Sequence, residues 1–156
     1  MLDRDWIAAH IPHHGAMCLL DAVIDWSAAA ISCRAVSHTD PANPLRADGR
    51  LGAAIGIEYA AQAMAVHGAL LADAAGASDA DNGPRHGYLT SLRGVTLHVA
   101  RLDDLSGELS VYAECIAGDG QFILYRFSLG HAGRCLVEGR ATVVLNAEAM
   151  ISAARS

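Results

Sequence analysis

Two places in the chain hold polar side chains that the surrounding pattern does not require: His10-Ile11-Pro12-His13-His14-Gly15 near the start, and Glu58 inside a long apolar stretch. A carboxylate in an apolar helix is costly to keep charged without a partner, so Glu58 is paired, protonated, or lining a cavity that admits water or substrate. The plain alternative is a core-facing glutamate satisfied by a backbone or arginine partner. Gln62 falls one turn later on the same helix face, within hydrogen-bonding reach of Glu58. His13 follows a proline in the turn before the first strand, a stiff position from which an imidazole projects into a groove, although a loop histidine is more often simply solvated. An imidazole with an ordinary pKa near ~6.5 beside a carboxyl group can divide the roles of base and acid at neutral pH. Such a pair suits β-elimination of water. Loss of a proton alpha to a thioester carbonyl needs a base, a donor to the departing hydroxyl, and a hydrogen bond to the carbonyl oxygen. Unpaired N–H groups at the start of the helix, near Gly52 and Ala53, offer the last of these.

Composition removes other chemistries. The 156 residues, 53% hydrophobic and 18% charged, suffice for one domain spanning 1–156. All 11 basic residues are arginine, which excludes Schiff-base and phosphate-loop lysines. A formal charge of -6, a pI near 5.7 and scattered arginines exclude a nucleic-acid partner. The amino terminus lacks the basic start and apolar run of a secretory signal, and Cys18, Cys33, Cys115 and Cys135 show no Cys-x-x-Cys spacing. The expectation is a cytoplasmic protein with reduced cysteines that act as small core residues rather than zinc ligands. The spacing of His10, His13 and His14 hints at a metal cluster, but Pro12 interrupts the helix that would align them, so no metal and no other cofactor is expected. His67 reads as an exposed helix face and His98 as a strand position.

The elements that must position these groups follow from hydrophobic periodicity. Asp3 caps a short helix over Arg4–His10, which ends where Pro12 disfavours helix at Ile11. Met17 to Trp26 and Ala30 to Ser37 read as a hairpin turning near Ser27. His38 to Arg50, with Asp-Pro, Asn-Pro and Asp-Gly dipeptides, is long enough for a functional flap. Leu51 to Ala75 is small and apolar without a sharp stripe, as befits a helix covered by protein on most sides. Its length would span a membrane, but Glu58, Gln62 and His67 and the lack of flanking basic residues argue against that. Ala74 to Arg85 reads as an exposed flexible loop. Strands then follow at Gly87–Arg101, Gly107–Ala117, Gln121–Gly130 and Arg134–Leu145, with Asp119-Gly120 as a hairpin turn. This is an α+β chain, one antiparallel sheet wrapped around one long helix, the order of the hotdog fold.

The motifs sharpen this. Ile11-Pro12-His13-His14-Gly15-Ala16-Met17-Cys18-Leu19-Leu20-Asp21-Ala22-Val23 resembles the leading signature of the 3-hydroxyacyl-acyl carrier protein dehydratases, and Gly56-Ile57-Glu58-Tyr59-Ala60-Ala61-Gln62-Ala63-Met64-Ala65 resembles their central-helix signature. Gly87-Tyr88-Leu89-Thr90-Ser91-Leu92-Arg93 is similar to the strand that follows. The resemblance implies that His13 and Glu58 are catalytic, that Gln62 orders their surroundings, and that each site joins a histidine and an acid from two subunits of a hotdog homodimer or heterodimer. In place of the Gly-His-Phe-Pro-Gly flap and Pro-Gly pair of the common dehydratases stands Leu45-Arg46-Ala47-Asp48-Gly49-Arg50-Leu51-Gly52-Ala53, closer to the dehydratase-like proteins of aryl-polyene-type systems. The amide that would hold the thioester carbonyl then falls on Ala53. The implied substrate rides on the phosphopantetheine of an acyl carrier protein. Because carriers and this chain are both acidic, docking requires a local arginine patch, for which Arg46, Arg50, Arg93 and Arg101 are the candidates. A thioesterase on the same fold and a non-catalytic partner subunit are the competing readings.

Overall fold

The computed structural model describes residues 1–76 and 87–145. Strand β1 (Leu2–Asp3) leads into helix α1 (Arg4–His10). The Asp3 side chain accepts the Trp6 N–H at 2.9 Å, and Ile11 returns to extended backbone before Pro12, as its sequence requires. The hairpin of β2 (Ala22–Trp26) and β3 (Ala30–Ala35) turns at Ser27, whose Oγ accepts the N–H groups of Ala29 and Ala30. β2 begins five residues later than the apolar run from Met17 suggests, because Gly15–Met17 forms a 3-10 turn. Helix α2 occupies Gly56–Ala74, preceded by a 3-10 turn at Ala53–Ile55. Leu51 and Gly52 are not helical as expected, since the backbone of Leu51 to Ala53 pairs with Ala100 to Leu102.

Strands β4 (Gly87–Leu97), β5 (Leu109–Gly118), β6 (Phe122–His131) and β7 (Arg134–Leu145) complete one antiparallel sheet of order β1-β2-β3-β5-β6-β7-β4. The sheet curls around α2, the hotdog arrangement. Asp119 makes the expected turn, its Oδ1 accepting from the Gln121 and Phe122 amides. β4 stops at Leu97 rather than Arg101, and His98 lies just past its end. The expected loop at Ala74 to Arg85 lies, beyond Gly76, outside the described residues. Among the described residues no helix is long and apolar enough to cross a membrane.

The core is the stripe of α2 formed by Tyr59, Ala60, Ala63, Val66, His67 and Leu70, set against Ile31, Cys33, Val111, Ala113, Tyr125 and Phe127 of the sheet. Gly56 brings the helix start close: a Cβ there would lie 3.1 Å from Leu129 Cδ2 and 3.2 Å from Val137 Cγ2. The opposite face of α2 is not covered as the sequence suggests. Its small residues and Glu58 are exposed or half-buried, because nothing among the described residues lies over them. The cysteine expectation holds for Cys18 and Cys33, while Cys115 and Cys135 are only partly buried.

The β6–β7 hairpin turns on Ala132 and Gly133, with φ of 49° and 78°. Left-handed backbone is costly for alanine and favoured by asparagine in two-residue turns. Ala132→Asn is therefore expected to raise stability by about 0.5–1 kcal/mol, read as a higher midpoint in chemical denaturation.

Candidate active site

The site rests on a backbone requirement. Met17 to Leu19 run outside any sheet ladder, so their polar groups need partners from elsewhere. Gln62 supplies them: its Oε1 accepts the Leu19 N–H at 2.8 Å and its Nε2 donates to the Met17 carbonyl at 2.7 Å, with the side chain only 1% exposed. The expected bond from Gln62 to Glu58 is thus replaced by a clamp on the main chain, because both amide ends are used. Since Gln62 lies one turn after Glu58, the clamp lays the His13–Leu19 segment along α2 and carries His13 back toward the carboxylate. Gly15, at φ +56°, makes the turn, and the Arg4 guanidinium donates to its carbonyl at 3.2 Å.

A second network holds the flap. Asn43 Nδ2 donates to Tyr59 Oη at 3.2 Å, Tyr59 Oη to Ser37 Oγ at 2.8 Å, and Ser37 Oγ to the Leu19 carbonyl at 2.7 Å. Each hydroxyl gives its proton forward and accepts one from behind, so the buried chain is satisfied throughout. Sequence reasoning did not single out Tyr59, Ser37 or Asn43. The available signal was a tyrosine beside Glu58 on a helix in which it is the one aromatic side chain.

His13 is half-buried, and its Nδ1 is enclosed without a partner. Burial lowers its pKa, the Glu58 charge opposes that shift, and His14 reinforces it. The imidazole is therefore biased toward the neutral form that can accept a proton. The Glu58 charge that bears on His13 is that of the same chain. Glu58 itself is exposed rather than enclosed by its own chain. A cleft of about 230 Å³ between Arg4, Asp21, Ser37 and Asn43 includes neither His13 nor Glu58.

Other expected positions divide. The Ala53 N–H donates to the Ala100 carbonyl at 3.1 Å, which leaves it unable to hold a thioester oxygen, whereas the exposed Gly52 amide meets no acceptor among the described residues. Arg46 donates to the His38 and Gly49 carbonyls, bracing the flap, and Arg101 forms a two-pronged pair with Asp103. Both are thereby withdrawn from a docking patch. Arg50 is exposed. Arg93 stands directly across the ladder from Arg140, which stands across from Arg126, so three arginines line one exposed row of the sheet. None of the three has an acidic partner within 4.0 Å among the described residues. Arg126 and Arg140 were missed in the sequence because only strand register makes them neighbours. His67 is fully buried, not exposed: its Nε2 donates to the Ser27 carbonyl and its Nδ1 accepts from Tyr125 Oη, each at 2.8 Å. It ties the helix to the sheet away from the dyad.

The electrostatic coupling is directly measurable. In an NMR titration, Glu58→Gln is expected to lower the His13 midpoint, by loss of the opposing charge, and His14→Ala to raise it. Unchanged midpoints in both variants would show that the pair is not coupled.

The family model described as ApeP dehydratase matches residues 6–152. Among solved structures, the dehydratase heterocomplex ApeI:P from Xenorhabdus doucetiae matches with a TM-score of 0.81 at 24% identity, over 100% of this chain and 99% of that one. A mutant thioesterase from Pseudomonas aeruginosa matches with a TM-score of 0.63 at 13% identity, over 93% and 94% of the two chains. Thioesterase superfamily member 2 from zebrafish gives 0.59 at 13%, over 92% and 95%. A search of curated proteins by sequence finds no match. The structural likenesses establish the hotdog fold, and the family match spans both His13 and Glu58: the chain belongs to the ApeP-like dehydratase family.

Proposed function

We propose that the chain dehydrates a 3-hydroxyacyl thioester to the trans-2-enoyl thioester. His13 removes the C2 proton, and Glu58, directly or through water, protonates the departing hydroxyl. The observation that carries this reading is the His13–Glu58 pair, held along α2 by the Gln62 clamp within a chain of dehydratase family. The neutral imidazole favoured by burial is the form a base requires. The exposed Gly52 amide takes the thioester carbonyl in place of Ala53.

Assembly completes the site. β4 is an edge strand of 11 residues, and Tyr88, Leu89, Leu92 and Leu97 on it are 39–46% exposed. A long apolar edge is a template for another strand. We place a second hotdog chain, identical or not, along β4, where it also covers the small-residue face of α2 and encloses Glu58 in an apolar groove for the acyl chain.

An acyl carrier protein delivers the substrate, and the row of Arg93, Arg140 and Arg126 receives its acidic surface. Like charges directly opposite on a sheet destabilise it; Glu114 faces Arg126 from β5 and offsets that end of the row, and an anionic partner offsets the Arg93–Arg140 end.

Assay of the purified chain, and of the chain with its partner, for enoyl product against free thiol separates dehydration from thioester hydrolysis. His13→Ala and Glu58→Gln are each expected to lower enoyl formation by about 10²–10⁴-fold. Full retention by both variants would make the chain a structural subunit. Reversing Arg93 and Arg140 to glutamate is expected to raise KM for carrier-bound substrate while sparing a short pantetheine thioester. Equal loss on both substrates would remove the row from carrier docking.

A further inference from the structure

We infer that His98, Cys135 and Glu138 form a binding site for a zinc ion, separate from the His13–Glu58 dyad. The imidazole nitrogen, thiol sulfur and carboxylate oxygen all lie within 4.8 Å of one another. Cys135 Sγ is 3.0 Å from Glu138 Oε2, and His98 Nε2 is 3.5 Å from the same oxygen. Zinc bonds of about 2.3 Å to sulfur and about 2.0–2.2 Å to nitrogen and oxygen set tetrahedral ligands roughly 3.3–3.8 Å apart. The three donors therefore surround an ion after side-chain adjustments of well under one bond length.

The backbone is shaped for this convergence. Residues three apart on a regular strand point to opposite faces, which would separate Cys135 from Glu138. The β6–β7 ladder is irregular between them: Gly130 pairs with Cys135, the next residue Leu129 pairs with Val137, and Leu136 is the extra residue. Leu136 and Val137 are both buried, at 1% and 0% exposure, as a bulge that resets the alternation demands. The reset brings Cys135 and Glu138 out together. His98 reaches the same spot because its amide donates to the Leu136 carbonyl at 2.8 Å, at the bulge itself, and Arg134 donates to the His98 carbonyl at 3.2 Å. The side chains of His98 and Glu138 are 41% and 53% exposed, which leaves the fourth tetrahedral position to water.

One nitrogen, one sulfur and one carboxylate oxygen are a donor set that zinc takes, whereas magnesium and calcium require oxygen throughout. On binding, the ion replaces the thiol proton, which leaves to solvent. Its position gives it a structural task. His98 lies two residues before Ala100, the acceptor of the Ala53 N–H at the approach to α2. A zinc ion there would tie the end of β4 to β7 and steady the strand segment that supports the helix start.

The test uses the full chain freed of metal by chelator, then titrated with Zn²⁺ by calorimetry and with Co²⁺ by absorption. One ion per chain is expected, with a thiolate-to-cobalt charge-transfer band in the near ultraviolet and a higher Tm with zinc. Cys135→Ser is expected to abolish the band, and His98→Ala and Glu138→Gln to weaken zinc binding at least tenfold, with circular dichroism confirming the fold of each. Cys115→Ser should change nothing. A band that is missing in the native chain or survives Cys135→Ser overturns the site. Binding retained by the three ligand variants but lost in a His10→Ala, His14→Ala double variant assigns the ion to the amino-terminal histidines and likewise overturns it.

Discussion

The Gln62 side chain is the contact on which the arrangement of this chain depends. It is a primary amide on the buried face of an apolar helix, with one donor and one acceptor directed at a strip of backbone that has no strand beside it. Either end left without a partner would cost about 1–3 kcal/mol, so the helix and the His13 segment hold one another in a fixed register. Tyr59 adds to this from the neighbouring position, passing hydrogen bonds through Ser37 to the carbonyl of Leu19. The flap, the turn after His13 and the central helix thus share one polar seam inside an otherwise apolar core. The proposed acid–base chemistry would depend on that seam, because an imidazole on a loop keeps its distance from a helical carboxylate only if the loop is fixed.

What a single chain leaves open is equally ordered. α2 buries one stripe against the sheet and presents small residues with Glu58 on the other side, while β4 ends the sheet with apolar side chains in solvent. Both surfaces are incomplete: the helix face has apolar area that a further layer would cover, and the edge strand has backbone groups that a further strand would pair. The electrostatics follow a similar division. In a chain of net charge -6, Arg46 and Arg101 are held by nearby carbonyls and carboxylates, whereas Arg93, Arg140 and Arg126 stand in one row with Glu114 across from Arg126 and no ion pair within 4.0 Å among the described residues. The Arg93–Arg140 pairing of like charges is unfavourable for the isolated sheet and favourable toward an anion.

Much of this architecture is legible in the sequence. The Asp3 cap and Pro12 delimited α1, the Asp119-Gly120 turn set one hairpin, and alternating patterns located the last four strands. His13, Glu58 and Gln62 stood out because polar groups among apolar neighbours need a reason. Roles were harder to read than positions. Gln62 was expected to serve Glu58 and serves the main chain of Met17 and Leu19 instead. Ala53 was expected to offer its amide and gives it to Ala100. His67, expected on a surface, is buried between Ser27 and Tyr125. In each case the deciding partner lies far away in sequence, 40 residues or more for the two side chains.

The sequence by itself determined the elements and the chemical types at the dyad, because helix caps, turn dipeptides and hydrophobic periods act over a few residues. Tertiary structure alone decided which polar groups are already engaged and which remain free. Ladder register made a row of Arg93, Arg140 and Arg126 from three separate strands, and one bulge at Leu136 turned Cys135 and Glu138 toward His98. Pairing between distant strands is set by how the whole sheet closes on α2, and that closure has no signature within any local stretch of the chain.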